Sequence, residues 1–217
     1  LECCRLFGIK SFYFASSSAI YGDHDKDLIK EDTGPLMPIS NYGAMKLASE
    51  AHCFASFESF LEDLYIFRFP NIVGAPATHG VIFDFIKKLI INPYKLDVLG
   101  NGNQMKSYLH VNDLIEGMIF LANKKNNKYS LPIYNLGSKA DQVSVKWIAE
   151  KTVNLISPSA KIIYGKDKSG WIGDVPKFRY DTSRAYAAGW KPKLDSKKAI
   201  NKAISEIASQ LNLQKNV

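Results

Sequence analysis

The chain has 217 residues, of which 46% are hydrophobic and 23% are charged. This composition indicates a globular protein with enough chain to build a core, and it excludes disordered and fibrous classes. The net charge of +7 suits an anionic small molecule, while scattered lysines make nucleic acid a weaker expectation. No stretch approaches the ~20 apolar residues of a membrane-spanning helix. Three irregularly spaced cysteines favour a reducing compartment, so we expect a cytoplasmic protein.

Apolar runs alternate with helical patterns along the chain, which is typical of an α/β protein with a mainly parallel sheet. We predict strands at 11–15, 64–69, 96–99, 108–111, 133–136 and 161–164. We predict helices at 1–7, 41–61, 81–91, 113–122, 145–156 and 183–188, and a last helix from 196. The first strand is expected to be buried on both faces, with Ser144 and Ser196 as helix N-caps. Two apolar helix faces are expected, one with Met45, Ala48, His52 and Ala55, the other with Ile200, Ile204, Ile207 and Leu211.

Residues 40–46 (SNYGAMK) carry the first chemical signal, because Tyr42 and Lys46 lie four positions apart and share one helix face. A phenol is a poor base at neutral pH, since its ordinary pKa is about 10. A neighbouring ammonium stabilises the phenolate and makes it a usable general base. Taken alone, this spacing is also typical of a solvated helix face.

Three serines, Ser16, Ser17 and Ser18, follow the first predicted strand. Open α/β sheets bind ligands at the carboxyl ends of their strands, so these hydroxyls are candidate ligand contacts. They are also compatible with a simple loop cap, which is a common role of serine. The order strand, serine triplet, then the Tyr42–Lys46 segment is much more specific than either feature alone.

In this order the sequence resembles the extended short-chain dehydrogenases/reductases over essentially its whole length. Within them it is most similar to NAD-dependent nucleotide-sugar epimerases of the UDP-glucose 4-epimerase branch. The resemblance implies the C-terminal part of a Rossmann-like parallel sheet with a smaller α/β substrate-binding domain. It implies that the catalytic residues are Tyr42, Lys46 and Ser17. It implies that the NAD contacts come from Ser16, Tyr42, Lys46 and Pro70.

Further blocks extend the resemblance into the substrate-binding region: residues 68–74 (RFPNIVG), 78–85, 100–113 and 170–176. They imply that the UDP-sugar is contacted by Ser17, Ser18, Asn71, His79, Lys106 and Asp174. Lys106 stands where many relatives place an arginine against the pyrophosphate, and Trp171 stands at another arginine position. His79 could equally be a polar residue at a helix start. His24, His52 and His110 show no metal-ligand spacing, so we expect no metal.

The glycine fingerprint of a dinucleotide-binding fold is absent from this sequence. Residues 100–102 (GNG) lack its third glycine and open no predicted helix. The chain also begins with Leu1, so we expect part of a longer protein whose N-terminal cofactor-binding half is not included. The expected domains are the second half of a dinucleotide-binding domain at 1–75 and about 105–137, and a substrate-binding domain at 76–104 and 138–217.

The resulting hypothesis is an isomerase that interconverts UDP-glucose and UDP-galactose with bound NAD. The family pattern is compatible with a homodimer through the Tyr42 helix in the full-length protein, without nucleic-acid or membrane partners. A related dehydratase or decarboxylase is the first alternative, but those relatives carry an acidic residue shortly after the strand-end serine. Residues 18–20 (SAI) contain none. The second alternative is a non-catalytic remnant or interaction module.

Overall fold

A computed structural model describes residues 1–23, 28–124, 133–139, 141–167, 179 and 181–212. Its helices are α1 (Glu2–Leu6), α2 (Asn41–Ser59), α3 (Val81–Ile91), α4 (Val111–Ala122), α5 (Val145–Ile156), α6 (Ser183–Ala187) and α7 (Ser196–Gln210). Its strands are β1 (Ser11–Ala15), β2 (Asp63–Arg68), β3 (Asn71–Val73), β4 (Lys95–Val98), β5 (Met105–Lys106), β6 (Tyr108–His110), β7 (Ile133–Asn135), β8 (Val143–Ser144) and β9 (Lys161–Tyr164). In the described residues, no helix combines the length and apolarity needed to cross a membrane.

The central sheet has the strand order β1-β2-β7, and both strand pairs are parallel. Helix α2 connects β1 to β2, as the crossover of a parallel pair requires. Alternate β2 side chains face opposite sides of the sheet. On the α2 side the buried cluster contains Cys53, Leu64, Ile66 and Ile133. On the α4 side it contains Tyr65, Phe67, Leu114, Leu121 and Tyr134. This confirms the α/β class with parallel strands and matches a Rossmann-like fold.

A second core lies between α3, α5, α7 and the parallel pair β4–β9. Its buried residues include Ile86, Leu96, Ile148, Ile200 and Ile204. The predicted apolar face of the last helix is confirmed, because Ile200, Ile204 and Ile207 are buried and Leu211 packs against them. The fold also contains two further strand pairs, the parallel pair β3–β6 and the antiparallel pair β5–β8. The proposed division into two domains stays a prediction.

Three local predictions are wrong. The predicted apolar face of α2 is exposed at all four of its positions, because the helix packs through Cys53 and Phe54 instead; the four are Met45, Ala48, His52 and Ala55.

The other two concern the first strand and the last helix. The first strand is not buried on both faces: Ser11, Tyr13 and Ala15 are exposed, because within the described residues β1 pairs only with β2. The last helix is capped by Asp195, whose carboxylate accepts a hydrogen bond from Lys198 N at 2.8 Å. The Ser196 hydroxyl is instead buried, and it bonds to the backbone of Tyr108.

Candidate active site

The serine segment after β1 is fixed by backbone hydrogen bonds to β2 and to the residue that follows it. Ser16 N donates to Phe67 O at 2.8 Å, and Ser18 N donates to Phe69 O at 3.2 Å. Ser17 then caps a single 3-10 turn, its Oγ accepting from Ala19 N at 3.2 Å. The capping reading and the ligand reading are therefore compatible, because the Ser17 hydroxyl hydrogen can still be donated to a second oxygen.

Helix α2 brings Tyr42 and Lys46 to the same place. Ser40 caps this helix, its Oγ accepting from Gly43 N at 3.1 Å, so the Tyr42 turn begins at a defined position. Lys46 Nζ donates to Ala15 O at 2.8 Å, which places the ammonium at the carboxyl end of β1. The same Nζ lies 5.8 Å from the centre of the Tyr42 ring. The side chain of Tyr42 is 57% exposed, so a ligand can reach its hydroxyl.

Gly43 lets α2 touch the 3-10 turn that follows Ser17. A Cβ built on Gly43 would lie 2.5 Å from Ala19 O and 3.0 Å from Pro38 Cβ, closer than atoms normally approach. The backbone of α2 and the backbone of the turn are therefore in direct contact. The segments that carry Tyr42 and Ser17 are packed together with no side chain between them at this point.

We predict that Gly43→Ala lowers the free energy of unfolding by about 1–3 kcal/mol, the usual cost of overpacking. The matched control is Gly34→Ala, since a Cβ on Gly34 would meet nothing within 4 Å. Urea unfolding of the two variants measures the difference. Equal stability of both variants would show that the α2 contact tolerates a methyl group.

The predicted substrate contacts around Asn71 lie next to the serine segment. Pro70 is buried, and Asn71, which follows it, is exposed at the start of β3. Asn71 Nδ2 lies 3.5 Å from Ser107 O, and Asn71 pairs with Tyr108 across β3 and β6. Lys106, half-buried in β5, is therefore one residue from the Asn71 contact. Asn71 and Lys106 thus lie on neighbouring segments, and their amide and ammonium groups both suit a phosphorylated ligand.

Within the described residues, no contact joins His79 to this group. His79 is exposed in the loop before α3, where its Nδ1 lies 3.1 Å from Thr78 Oγ1. Both readings of His79 stay open. Asp174 and Trp171 lie outside the described residues.

The loop before α3, which carries His79, is anchored by α7. Gln210 Nε2 donates to Ala77 O at 2.8 Å, and Gln210 Oε1 accepts from Ala77 N at 2.8 Å.

Sequence reasoning missed a buried polar network beneath the serine segment. Glu50 and Arg68 form a salt bridge of 2.6 Å and are 2% and 3% exposed. Arg68 Nη1 donates to Tyr21 Oη at 2.9 Å, and Tyr21 Oη donates to Asn135 Oδ1 at 2.8 Å. Burial raises the pKa of Tyr21 to about 12, although Arg68 opposes the shift, so this phenol stays neutral. The available signal was the spacing Tyr42, Lys46, Glu50, which continues one helix face.

The donor set at the end of β1 fits the sugar-bearing end of a nicotinamide cofactor. An ammonium has three N–H donors, and in the described residues Lys46 uses one of them, on Ala15 O. The other two can bind ribose hydroxyls. Tyr42 stands exposed beside this ammonium. These residues could hold and orient the ribose.

Comparisons with known proteins identify chains of similar fold and sequence. A crystal structure of UDP-galactose 4-epimerase has a TM-score of 0.83 and 34% identity, covering 97% of this chain and 67% of that one. MoeE5 in complex with UDP-glucuronic acid and NAD has a TM-score of 0.81 and 25% identity, covering 96% and 68%. A candidate UDP-glucose 4-epimerase of Methanocaldococcus jannaschii is 28% identical over 210 residues, 94% of this chain and 65% of that protein.

The chain spans 39% to 65% of the length of the curated relatives it matches. The model of the NAD dependent epimerase/dehydratase family matches residues 1–137, which is more than half of the chain. The fold, the strand-end serines and the matched family model point the same way: the chain belongs to the NAD-dependent epimerase/dehydratase family.

Proposed function

We propose that the protein interconverts UDP-glucose and UDP-galactose by inverting the sugar at C4, with NAD as cofactor. The observation that carries this proposal is the position of the Lys46 ammonium, which bonds to the last residue of β1 and lies beside the Tyr42 ring. The turn that Ser17 caps packs against the same helix. The substrate class is supported by the neighbouring Asn71 and Lys106, which suit a nucleotide phosphate. The likeness to a UDP-galactose 4-epimerase at 34% identity supports the same class.

In this proposal Tyr42 is the general base. Its phenolate accepts the proton of the sugar 4-hydroxyl, while the Ser17 hydroxyl donates a hydrogen bond to the same oxygen. The Lys46 ammonium stabilises the phenolate and binds the nicotinamide ribose. Bound NAD would supply the hydride acceptor, and afterwards the hydride donor, at C4. The keto sugar turns in the pocket between the two transfers, and Tyr42 then returns the proton to O4.

A nucleotide-sugar dehydratase or decarboxylase is the alternative within the family. Such a reaction moves a second proton and needs a further acid or base near the sugar. Residues 18–20, which follow Ser17, carry no carboxylate. Glu50 is near the same segment, but both of its carboxylate oxygens are occupied by Arg68 and Ser16. These observations favour epimerisation. A non-catalytic interaction module is the remaining reading.

The deciding experiment is an assay of the complete protein encoded by the gene, purified and supplied with NAD. UDP-galactose, UDP-glucuronic acid, UDP-N-acetylglucosamine and dTDP-glucose are offered separately, and products are separated by chromatography. We expect UDP-glucose to form from UDP-galactose. A 4-keto-6-deoxy product would favour the dehydratase, epimerisation of another sugar would change the substrate, and no product from any sugar would favour the non-catalytic reading.

We predict that Lys106→Ala weakens UDP binding by at least tenfold. A charge-assisted phosphate contact contributes about 1.5–3 kcal/mol, which corresponds to about 10- to 150-fold in affinity. Titration calorimetry with UDP measures the contact without the sugar chemistry. Lys106→Arg should bind at least as well, and Lys161→Ala, a change at an exposed lysine on β9, is the control. Unchanged UDP affinity in Lys106→Ala would remove Lys106 from the nucleotide site.

A further inference from the structure

The face of α2 that carries the candidate catalytic residues continues one turn further into the protein. Tyr42, Lys46 and Glu50 are spaced four residues apart, so they lie along one stripe of the helix. A carboxylate as buried as Glu50 requires compensating partners. Arg68 supplies a two-pronged contact, from Nε to Oε1 at 3.0 Å and from Nη2 to Oε2 at 2.6 Å. The Ser16 hydroxyl donates to Oε1 as well.

Glu50 therefore joins α2 to the ends of two strands. Ser16 follows β1 directly, and Arg68 is the last residue of β2. Lys46 makes a parallel connection, because its ammonium is bonded to Ala15 O. Two consecutive residues before Ser17 are thus held by side chains of the helix that carries Tyr42.

The Ser16 side chain is fully buried and is directed at Glu50. Its hydroxyl hydrogen is consumed by that carboxylate, so it cannot also be donated to a ligand. The resemblance to the family implies that Ser16 contacts the cofactor. In the structure its hydroxyl instead binds the carboxylate of Glu50.

We propose that Ser16 and Glu50 are positioning residues, which hold the Ser17 hydroxyl at a fixed place relative to the Tyr42 phenol. Arg68 orients the Glu50 carboxylate for this purpose. The inference rests on the proposed function, because it concerns the residues that act there on the sugar 4-hydroxyl. Proton transfer needs the groups within about 2.6–3.2 Å, and a displacement of about 1 Å can cost about a hundredfold in rate.

The test begins with Ser16→Ala in the complete protein. This change removes the link between Glu50 and the strand end, and it leaves the Arg68 salt bridge in place. We expect kcat to fall by about ten- to a hundredfold, with KM for the UDP-sugar little changed. A purely structural serine would lower thermal stability without this selective loss of kcat at temperatures where the variant is folded.

A double-mutant cycle with Ser17→Ala identifies the route of the effect. If Ser16 acts through Ser17, Ser16→Ala should change kcat very little once the Ser17 hydroxyl is gone. Equal losses in both backgrounds would overturn the proposal while leaving the epimerase assignment intact. Ser56→Ala is the matched control, because Ser56 is a buried serine of the same helix whose hydroxyl donates to His52 O at 3.0 Å. It should keep the parental kcat, and a similar loss there would also overturn the proposal.

Crystal structures of the parent and of Ser16→Ala give a readout that does not depend on turnover. We expect the Ser17 hydroxyl to shift relative to Tyr42 when the Glu50 link is lost. A Ser17 position that superposes on the parent would overturn the positioning role, whatever the activity. An active Tyr42→Phe variant would overturn the proposed mechanism instead, so the two failures are distinguishable.

Discussion

Replacement of Tyr42 by phenylalanine is expected to lower the turnover of UDP-galactose by about 10²–10⁴-fold, the usual contribution of general acid–base catalysis. The change deletes one hydroxyl and leaves the ring. That ring is 57% exposed, and α2 is capped by Ser40 and packed through other residues. The free energy of unfolding should therefore stay within about 0.5 kcal/mol of the parent.

The measurement pairs the initial rate at saturating substrate with a urea unfolding curve. Tyr94→Phe is the control, since Tyr94 is an exposed tyrosine in the turn after α3 and should keep full turnover. Ser17→Ala is expected to be milder than Tyr42→Phe, because water can replace a hydroxyl that positions but not one that ionises. Near-parental turnover of Tyr42→Phe would show that the base is another residue.

Replacement of Arg68 by methionine is expected to destabilise the protein by about 3–5 kcal/mol, the usual cost of breaking a buried salt bridge. Glu50 would be left as a buried carboxylate without its cationic partner, and the Arg68 bonds to Tyr21 Oη and Glu31 O would also be lost. The exposed pair of Lys193 and Glu116 offers a contrast. Lys193→Ala should cost no more than about 1 kcal/mol.

Urea unfolding of both variants measures this difference. The double variant Arg68→Met/Glu50→Leu removes the unpaired charge and should recover part of the lost stability. Arg68→Met could prove no more destabilising than Lys193→Ala. In that case the Glu50 carboxylate would have found another partner or entered solvent, and the buried salt bridge would not contribute the stability predicted for it.

The sequence predicted elements well wherever the signal was local. Helices α3 and α5 and strand β9 have the predicted bounds, and Ser144 caps α5 as expected. Clear 3.6-residue periodicity and a serine cap belong to the segment itself. Strands β3 and β5 were not foreseen as separate strands, because two or three residues are too short to show a period.

The burial of α2 shows why other features could not be read from one segment. All four residues predicted on its apolar face are exposed, whereas Glu50 is buried. A buried glutamate is tolerated here only because Arg68, from the following strand, reaches it. The pairing joins two elements, so the spacing of Glu50 along α2 does not reveal its partner. The same non-local partnership explains why Tyr42 and Lys46 were foreseen as candidate catalytic residues while the network beneath them was not.

The anchoring of the His79 loop has a consequence for the order in which the protein acquires its structure. Ala77 is bonded to Gln210, 133 positions later, and Ala75 N donates to Glu206 at 3.2 Å, 131 positions later. Burial opposes ionisation of Glu206, but hydrogen bonds from Ala75 N and His110 keep its pKa below the ordinary value, so the carboxylate acceptor is present at neutral pH. During synthesis the backbone groups of Ala75 and Ala77 stay hydrogen-bonded to water until α7 has emerged. Contacts between residues so far apart in sequence form slowly, because the long loop between them must first be closed. We therefore expect the loop before α3 to gain its final shape only after α7 has docked.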